Sequence, residues 1–194
     1  MMINDVYIVS AVRTAIGSFG GSLKKISPAD LGAHVTSEAV KRARIDVATV
    51  ESNIVGHVIR SEVRDAYISR RIALDGGLPI NVQSLTVNRL CGSGLEAVAL
   101  ATQQIQLGEV TVAVAGGAES MSSSAHLLTT NRWGKPMGDG VIQDELTGAL
   151  TDPFGVGHMG ITAENVVEMD KISRQEQDEF ALKSQRRAQH AISL

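Results

Sequence analysis

Apolar and polar positions alternate in one rhythm up to residue 118 and in another after it. The run Val6-Tyr7-Ile8-Val9-Ser10-Ala11-Val12 is apolar and rich in β-formers, which predicts a first strand. Helical spacing follows from Pro28 to about Ile45, then a strand-like stretch from Ile54 to Ile59. A second helix is expected from Asp65 to Asp75, stopped by Gly76-Gly77. A further strand is predicted from Val82 to Val87 and a helix from about Cys91 to Leu107. The β-branched run Val110-Thr111-Val112-Ala113-Val114 then ends at Gly116-Gly117. This succession predicts an α/β architecture with mainly buried strands.

Residues 119–160 lose that rhythm, with serines at Ser120 and Ser122 to Ser124 and glycines scattered among short apolar pieces. They read as a looped excursion. Helical signals return from Thr162, and Ser173-Arg174-Gln175-Glu176 has the form of a capping box, in which serine and glutamate side chains satisfy the free N–H groups of a helix start. The helix it opens carries apolar Phe180, Ala181 and Ala188, and its charges from Arg174 to Arg187 mix both signs, as on a solvated face. The change of texture divides the chain into 1–118 and 119–194.

Composition narrows the function classes. With 18 Lys+Arg against 21 Asp+Glu in 194 residues, the net charge of −3 offers no basic footprint for nucleic acid. The apolar share of 43% supports a sizeable core, yet no run is long enough for a membrane span. The single cysteine, Cys91, excludes an intrachain disulfide and a cysteine-rich metal site, and the start of the chain has no signal-peptide pattern. A reducing cytoplasm is the expected home. No two histidines have metal-ligand spacing, and Gly17 to Ser22 fits no phosphate-loop pattern and reads as a tight turn.

The chemistry gathers at Cys91. It lies at a strand-to-helix junction, where the unpaired N–H groups and positive dipole of a helix N-terminus favour a thiolate and could hold an oxyanion. Gly92 and Gly94 leave room for a carbonyl to approach. On position alone Cys91 reads equally well as a small buried hydrophobe. Ser93 and Glu96 fit a second capping box, a structural role, and the apolar run from Leu95 to Ala101 predicts a helix buried on nearly every side.

The stretch Val87-Asn88-Arg89-Leu90-Cys91-Gly92-Ser93-Gly94-Leu95 resembles the acyl-enzyme signature of thiolases. Three further segments resemble the family in the same order: Val9 to Thr14, Gly116-Gly117-Ala118-Glu119-Ser120-Met121-Ser122, and His158-Met159-Gly160-Ile161-Thr162-Ala163-Glu164-Asn165. The segments Arg64 to Tyr67 and Arg132-Trp133-Gly134 are most similar to bacterial β-ketothiolases of the acetyl-CoA acetyltransferase type. The resemblance implies a thiolase-like fold, the N-terminal half of an α/β/α/β/α sandwich with an inserted loop domain. The core half would be 1–118 and a truncated part of the loop domain 119–194.

It also implies that Cys91 takes the acyl group from coenzyme A as a thioester, with its own N–H in an oxyanion hole. His158 and Met159 would lie near the acyl and pantetheine end of the substrate, and Gly117 to Ser122 would shape the core and a subunit contact. Coenzyme A thioesters would be substrates, with no cofactor and no metal. The family's acid/base histidine, second cysteine and water-holding asparagine have no counterpart here. The expected partners are therefore acyl-CoA, coenzyme A and a C-terminal thiolase half or continuation, in a homo- or hetero-oligomer that is a tetramer by resemblance, with no nucleic acid and no membrane. The alternatives are a ketoacyl-synthase-like condensing enzyme and a catalytically silent assembly subunit.

Overall fold

Serine followed by proline opens the first helix. Ser27 is extended (φ −68°, ψ 150°), its side chain accepts the N–H of Asp30, and Pro28 stands where a missing N–H costs nothing. In the computed structural model, which describes residues 5–194, this helix is α1, Pro28–Ala43. A short 3-10 turn capped by Asp46 leads into the first strand, β1, Ser52–Gly56. A second 3-10 turn, Val63–Tyr67, precedes α2, Ile68–Asp75, so the helix expected from Asp65 begins with tighter winding. Gly76-Gly77 stops α2 as expected: Gly77 takes φ 84° and Leu78 N donates to Ala73 O.

The remaining core elements are β2, Gln83–Val87, α3, Ser93–Gln106, and β3, Ala113–Gly117. The sheet is parallel with order β2-β1-β3, so all three strands end at the same edge. The chain moves from β1 to one neighbour and then crosses to the other, which makes the carboxyl end of β1 a topological switch point, where open α/β sheets place their ligands.

The period of two along β1 sorts the core into layers. Ile54 packs with Ala97 and Ala101 of α3, whereas Val55 packs with Ala29 of α1 and Ile68 and Ile72 of α2. Burying Ile54, Ile68 and Ile72 stabilises the fold by about 2–3 kcal/mol each. Gly32 lets α1 approach, since a Cβ there would collide with the Ile72 side chain. Every residue of β1 is buried. Strands β2 and β3 are only half covered, with Leu85 46% exposed.

Three expectations for the core fail. The first is mainly buried strands, which holds for β1 and not for β2 or β3, the two edges of the three-stranded sheet. The run Val6–Val12 forms no strand, and Tyr7, Ile8 and Val9 are exposed. β-rich sequence becomes a strand only where its backbone finds a ladder, and among the described residues this run has none. Helix α3 is buried only along the stripe Ser93, Ala97 and Ala101, with Leu100 half-buried beside it, and Leu95 on its other side is 76% exposed. Among the described residues the sheet is what packs most closely on this helix, and it covers one face.

After β3 the elements shorten. Met121–Ser123 is a 3-10 turn, β4, His126–Leu128, pairs antiparallel with β5, Ile142–Asp144, and α4, Glu145–Ala149, follows. The chain divides into two compact units, the first up to Ala149 and the second from Leu150 to Leu194. The second unit contains α5, Met159–Asp170, which starts before the expected Thr162, and α6, Arg174–Ser193. The capping box at Ser173 and Glu176 is present, and α6 is solvated along its charged stretch. Among the described residues no helix is long and apolar enough to cross a membrane.

Candidate active site

The turn between β2 and α3 is built by side chains hydrogen-bonding their own backbone. Asn88 Oδ1 accepts the N–H of Leu90 at 2.9 Å, an Asx turn that draws Leu90 into the left-handed region at φ 50°. A leucine there is strained, so it persists only because neighbouring bonds fix it. Arg89 O accepts from Gly92 N, and Leu90 O accepts from both Ser93 N and Ser93 Oγ. Ser93 Oγ also accepts from Arg89 N at 2.8 Å, so one buried hydroxyl closes the turn from both ends. Cys91 stands at the middle of this turn with its thiol exposed. The position therefore differs from that of an inert buried cysteine.

The second capping box is not formed. Gly92 is the cap residue, which shifts Ser93 into the first helical position, and Glu96 pairs with Arg89 instead of the helix start. The role of Ser93 is structural, as expected, but its work is to tie the turn that carries Cys91.

Beneath the turn, glycines allow backbone to meet backbone. A Cβ on Gly56, the last residue of β1, would lie 2.6 Å from the Ser93 carbonyl carbon and 2.8 Å from Gly94 N. A Cβ on Gly117, the last of β3, would lie 3.1 Å from Gly56 O and 3.7 Å from the Gly94 Cα. The first turn of α3 thus sits directly on the ends of two strands. A Cβ on Gly94 itself would meet nothing within 4 Å, so the start of α3 is open at that residue.

His158 and Met159 lie in the second unit. His158 caps α5, its Nδ1 accepting the Gly160 N–H at 3.2 Å, which places the ring proton on Nε2. Met159 N donates to Leu150 O, and its side chain is 40% exposed. A tight loop precedes them: Asp152 N donates to Gly157 O, and Asp152 Oδ2 accepts from Phe154 and Val156. Both residues are thus presented at a helix start, while Cys91 belongs to the first unit. Among the described residues, no group of three His, Cys, Asp or Glu side chains gathers to hold a metal ion.

Sequence reasoning missed the residues that shape the turn. Asn88 two positions before Leu90 is a recognisable Asx signal, but the close approach of Gly56 to α3 has no local signature. The family description "Thiolase, N-terminal domain" matches residues 6–194. The chain belongs to the thiolase family. It is 53% identical over 191 residues to the beta-ketothiolase BktB of Cupriavidus necator, covering 98% of this chain and 48% of that protein. It is 48% identical over 188 residues to an acetyl-CoA acetyltransferase of Escherichia coli, covering 95% of this chain and 47% of the relative.

Solved thiolase-family structures share the fold. The acetyl-CoA acetyltransferase of Bacillus anthracis superposes with TM-score 0.93 at 44% identity, over 98% of this chain and 48% of that one. The human mitochondrial 3-ketoacyl-CoA thiolase in complex with CoA gives 0.92 at 37% identity, over 96% and 48%. The chain spans about half the length of the curated relatives it matches.

Proposed function

We propose that the chain is the nucleophile-bearing part of an enzyme that transfers short acyl groups between coenzyme A thioesters, either condensing acetyl-CoA or cleaving 3-ketoacyl-CoA. The observation that carries this reading is an exposed cysteine at the middle of a strained turn that leads into a helix, in a chain whose family match runs from residue 6 to 194. The names of the relatives supply the substrate class, coenzyme A thioesters.

The Cys91 thiolate attacks the thioester carbonyl, forming a new C–S bond and a tetrahedral oxyanion. The Cys91 N–H and the positive end of α3 stabilise that oxyanion. Collapse breaks the bond to coenzyme A, which leaves as a thiolate and takes up a proton, and the acyl group remains on Cys91. In condensation, the carbanion of a second acetyl-CoA then attacks the acyl-cysteine carbonyl and expels the Cys91 thiolate. Making that carbanion needs a base, which a C-terminal half or second chain would supply. His158 and Met159 would line the acyl and pantetheine end. Residues 1–118 would form the core half and 119–194 part of the loop domain, in an oligomer working in the cytoplasm.

The test is thiolysis of acetoacetyl-CoA by the chain assembled with the polypeptide that completes it. Cys91→Ser is expected to lower the rate by roughly 10³-fold or more. Full activity in that variant would refute the reading. Transfer from an acyl carrier protein in preference to acyl-CoA would favour the ketoacyl-synthase-like alternative.

A further inference from the structure

A polar cluster at the switch point of the sheet, built on buried His57 and Asp65 with the part-exposed Glu119, has no part in the chemistry above. His57 follows Gly56, Ala118 follows Gly117, and these are the two glycines on which α3 rests. His57 Nδ1 lies 2.9 Å from Ala118 O and 3.1 Å from Glu119 Oε1. A carbonyl oxygen only accepts, so Nδ1 carries a proton. On the other side of the ring, Nε2 lies 3.8 Å from Asp65 Oδ2 and has no hydrogen-bond partner. The His57 side chain is 4% exposed and that of Asp65 is fully buried.

A neutral ring would leave a bare lone pair at Nε2 facing a carboxylate, two acceptors buried without a donor between them. Protonation turns the same contact into an N–H facing a negative charge. Turning the ring over would exchange Nδ1 for carbon and forfeit both contacts to residues 118 and 119.

We propose that His57 is a positioning residue for Cys91: as an imidazolium clamped between Glu119 and Asp65, it locks together the ends of β1 and β3 on which the first turn of α3 is seated. The connections are short. His57 N donates to Val87 O, at the end of the strand leading to Cys91, and Ala118 N donates to Gly56 O. Glu119 reaches back to accept from Val58 and Ile59, while Asp65 Oδ2 accepts from Ser61 N, Ser61 Oγ and Glu62 N. One cation thereby holds two loop anchors against one sheet end. The charged groups that face the ring are Glu119, from the segment after β3, and Asp65, from the 3-10 turn; Asp65 is itself near Arg64.

Burial alone would push His57 below its ordinary value of 6.5. The hydrogen bonds to Glu119 and Ala118, with the charges of Glu119 and Asp65, outweigh that and hold it above. The importance of this lock for acyl transfer rests on the function proposed above, so the test reads the lock apart from acyl transfer.

Imidazole nitrogen chemical shifts of the nitrogen-labelled chain, followed against pH, report the charge directly. His57 is expected to titrate with a midpoint above 6.5 and to lose its proton from Nε2. A midpoint below 6.5, or a bare Nδ1, would overturn the proposal. Glu119→Gln should lower that midpoint, and an unchanged midpoint would count against the clamp. Because Cys91 is the one cysteine of the chain, its alkylation by iodoacetamide gives the second readout.

The ratio of wild-type to His57→Gln alkylation rates should change by roughly two- to threefold across the His57 midpoint, the low end of couplings within one network. A ratio constant with pH would overturn the positioning role. If His57→Gln does not fold, the wild-type titration and Glu119→Gln still decide the charge. Failure of acetyl transfer from acetyl-CoA with the alkylation coupling intact would remove the acyl-transfer reading and leave the lock standing.

Discussion

At Leu90 a non-glycine residue holds φ 50° because Asn88, Arg89 and Ser93 over-determine the turn around it. Ser93→Ala removes the hydroxyl that serves Arg89 N and Leu90 O, and leaves both without that partner. The expected loss is about 1–3 kcal/mol in urea denaturation, accompanied by altered Cys91 alkylation. An unchanged urea midpoint would show that the turn does not depend on Ser93. Titration acts through two neighbours. Burial would raise the Asp65 pKa above 3.8, but the hydrogen bonds from Ser61 and Glu62 and the charge of His57 hold it below. The stability from Asp65 is therefore fully present above 3.8 and lost as pH falls through its lowered native value. His57 is raised, so its contribution is fully present below 6.5 and lost as pH climbs through its native value. The urea midpoint should fall on both sides of that window, and His57→Gln should flatten the alkaline limb and, by removing one of the groups that hold Asp65 down, also weaken the acid limb.

Elements were legible in the sequence where a local signal sufficed. The helical spacing from Pro28 marked α1, Gly76-Gly77 stopped α2, and Ser173 with Glu176 capped α6. The same Ser-x-x-Glu pattern at Ser93 and Glu96 led to a different outcome. There Gly92 took the cap, the Asx turn recruited the serine, and Arg89 captured the glutamate. Local spacing cannot tell these cases apart, because the competitors lie in the preceding turn. Nor does it reveal that Val6–Val12 lacks a ladder or that α3 is bare along Leu95, since both depend on neighbours distant in sequence. The position of Cys91 at a strand-to-helix junction was legible, whereas the seat beneath it was not. Gly56→Ala tests that seat: a methyl group 2.6 Å from the Ser93 carbonyl carbon must displace α3. The expected cost is about 1–3 kcal/mol in urea denaturation, with a change in thiol reactivity. At α6, Ser173→Ala should fray about one turn of helix, read by circular dichroism.

Across the molecule, large apolar side chains stand exposed on several elements. Tyr7, Ile8, Leu85 and Leu95 do so in the first unit, and Phe180 and Ile192 do so on α6. Where such side chains join into patches larger than a few hundred Å², they mark surface that a partner covers. The isolated chain is expected to bind a hydrophobic dye strongly and to self-associate in size-exclusion chromatography. A monodisperse monomer without dye binding would contradict this. The family is established by a match over residues 6–194, and the chain spans about half of the relatives it resembles. The proposed activity is therefore tested through the one step it assigns to these residues, formation of the acyl-cysteine. The most direct measurement is denaturing intact-mass spectrometry before and after brief exposure to acetyl-CoA, with peptide mapping. The account predicts one added acetyl group, located on Cys91 and absent from Cys91→Ser. A chain that gains no acetyl group while assembled with the polypeptide that completes it, or gains one elsewhere, would contradict the assignment of Cys91 as the nucleophile.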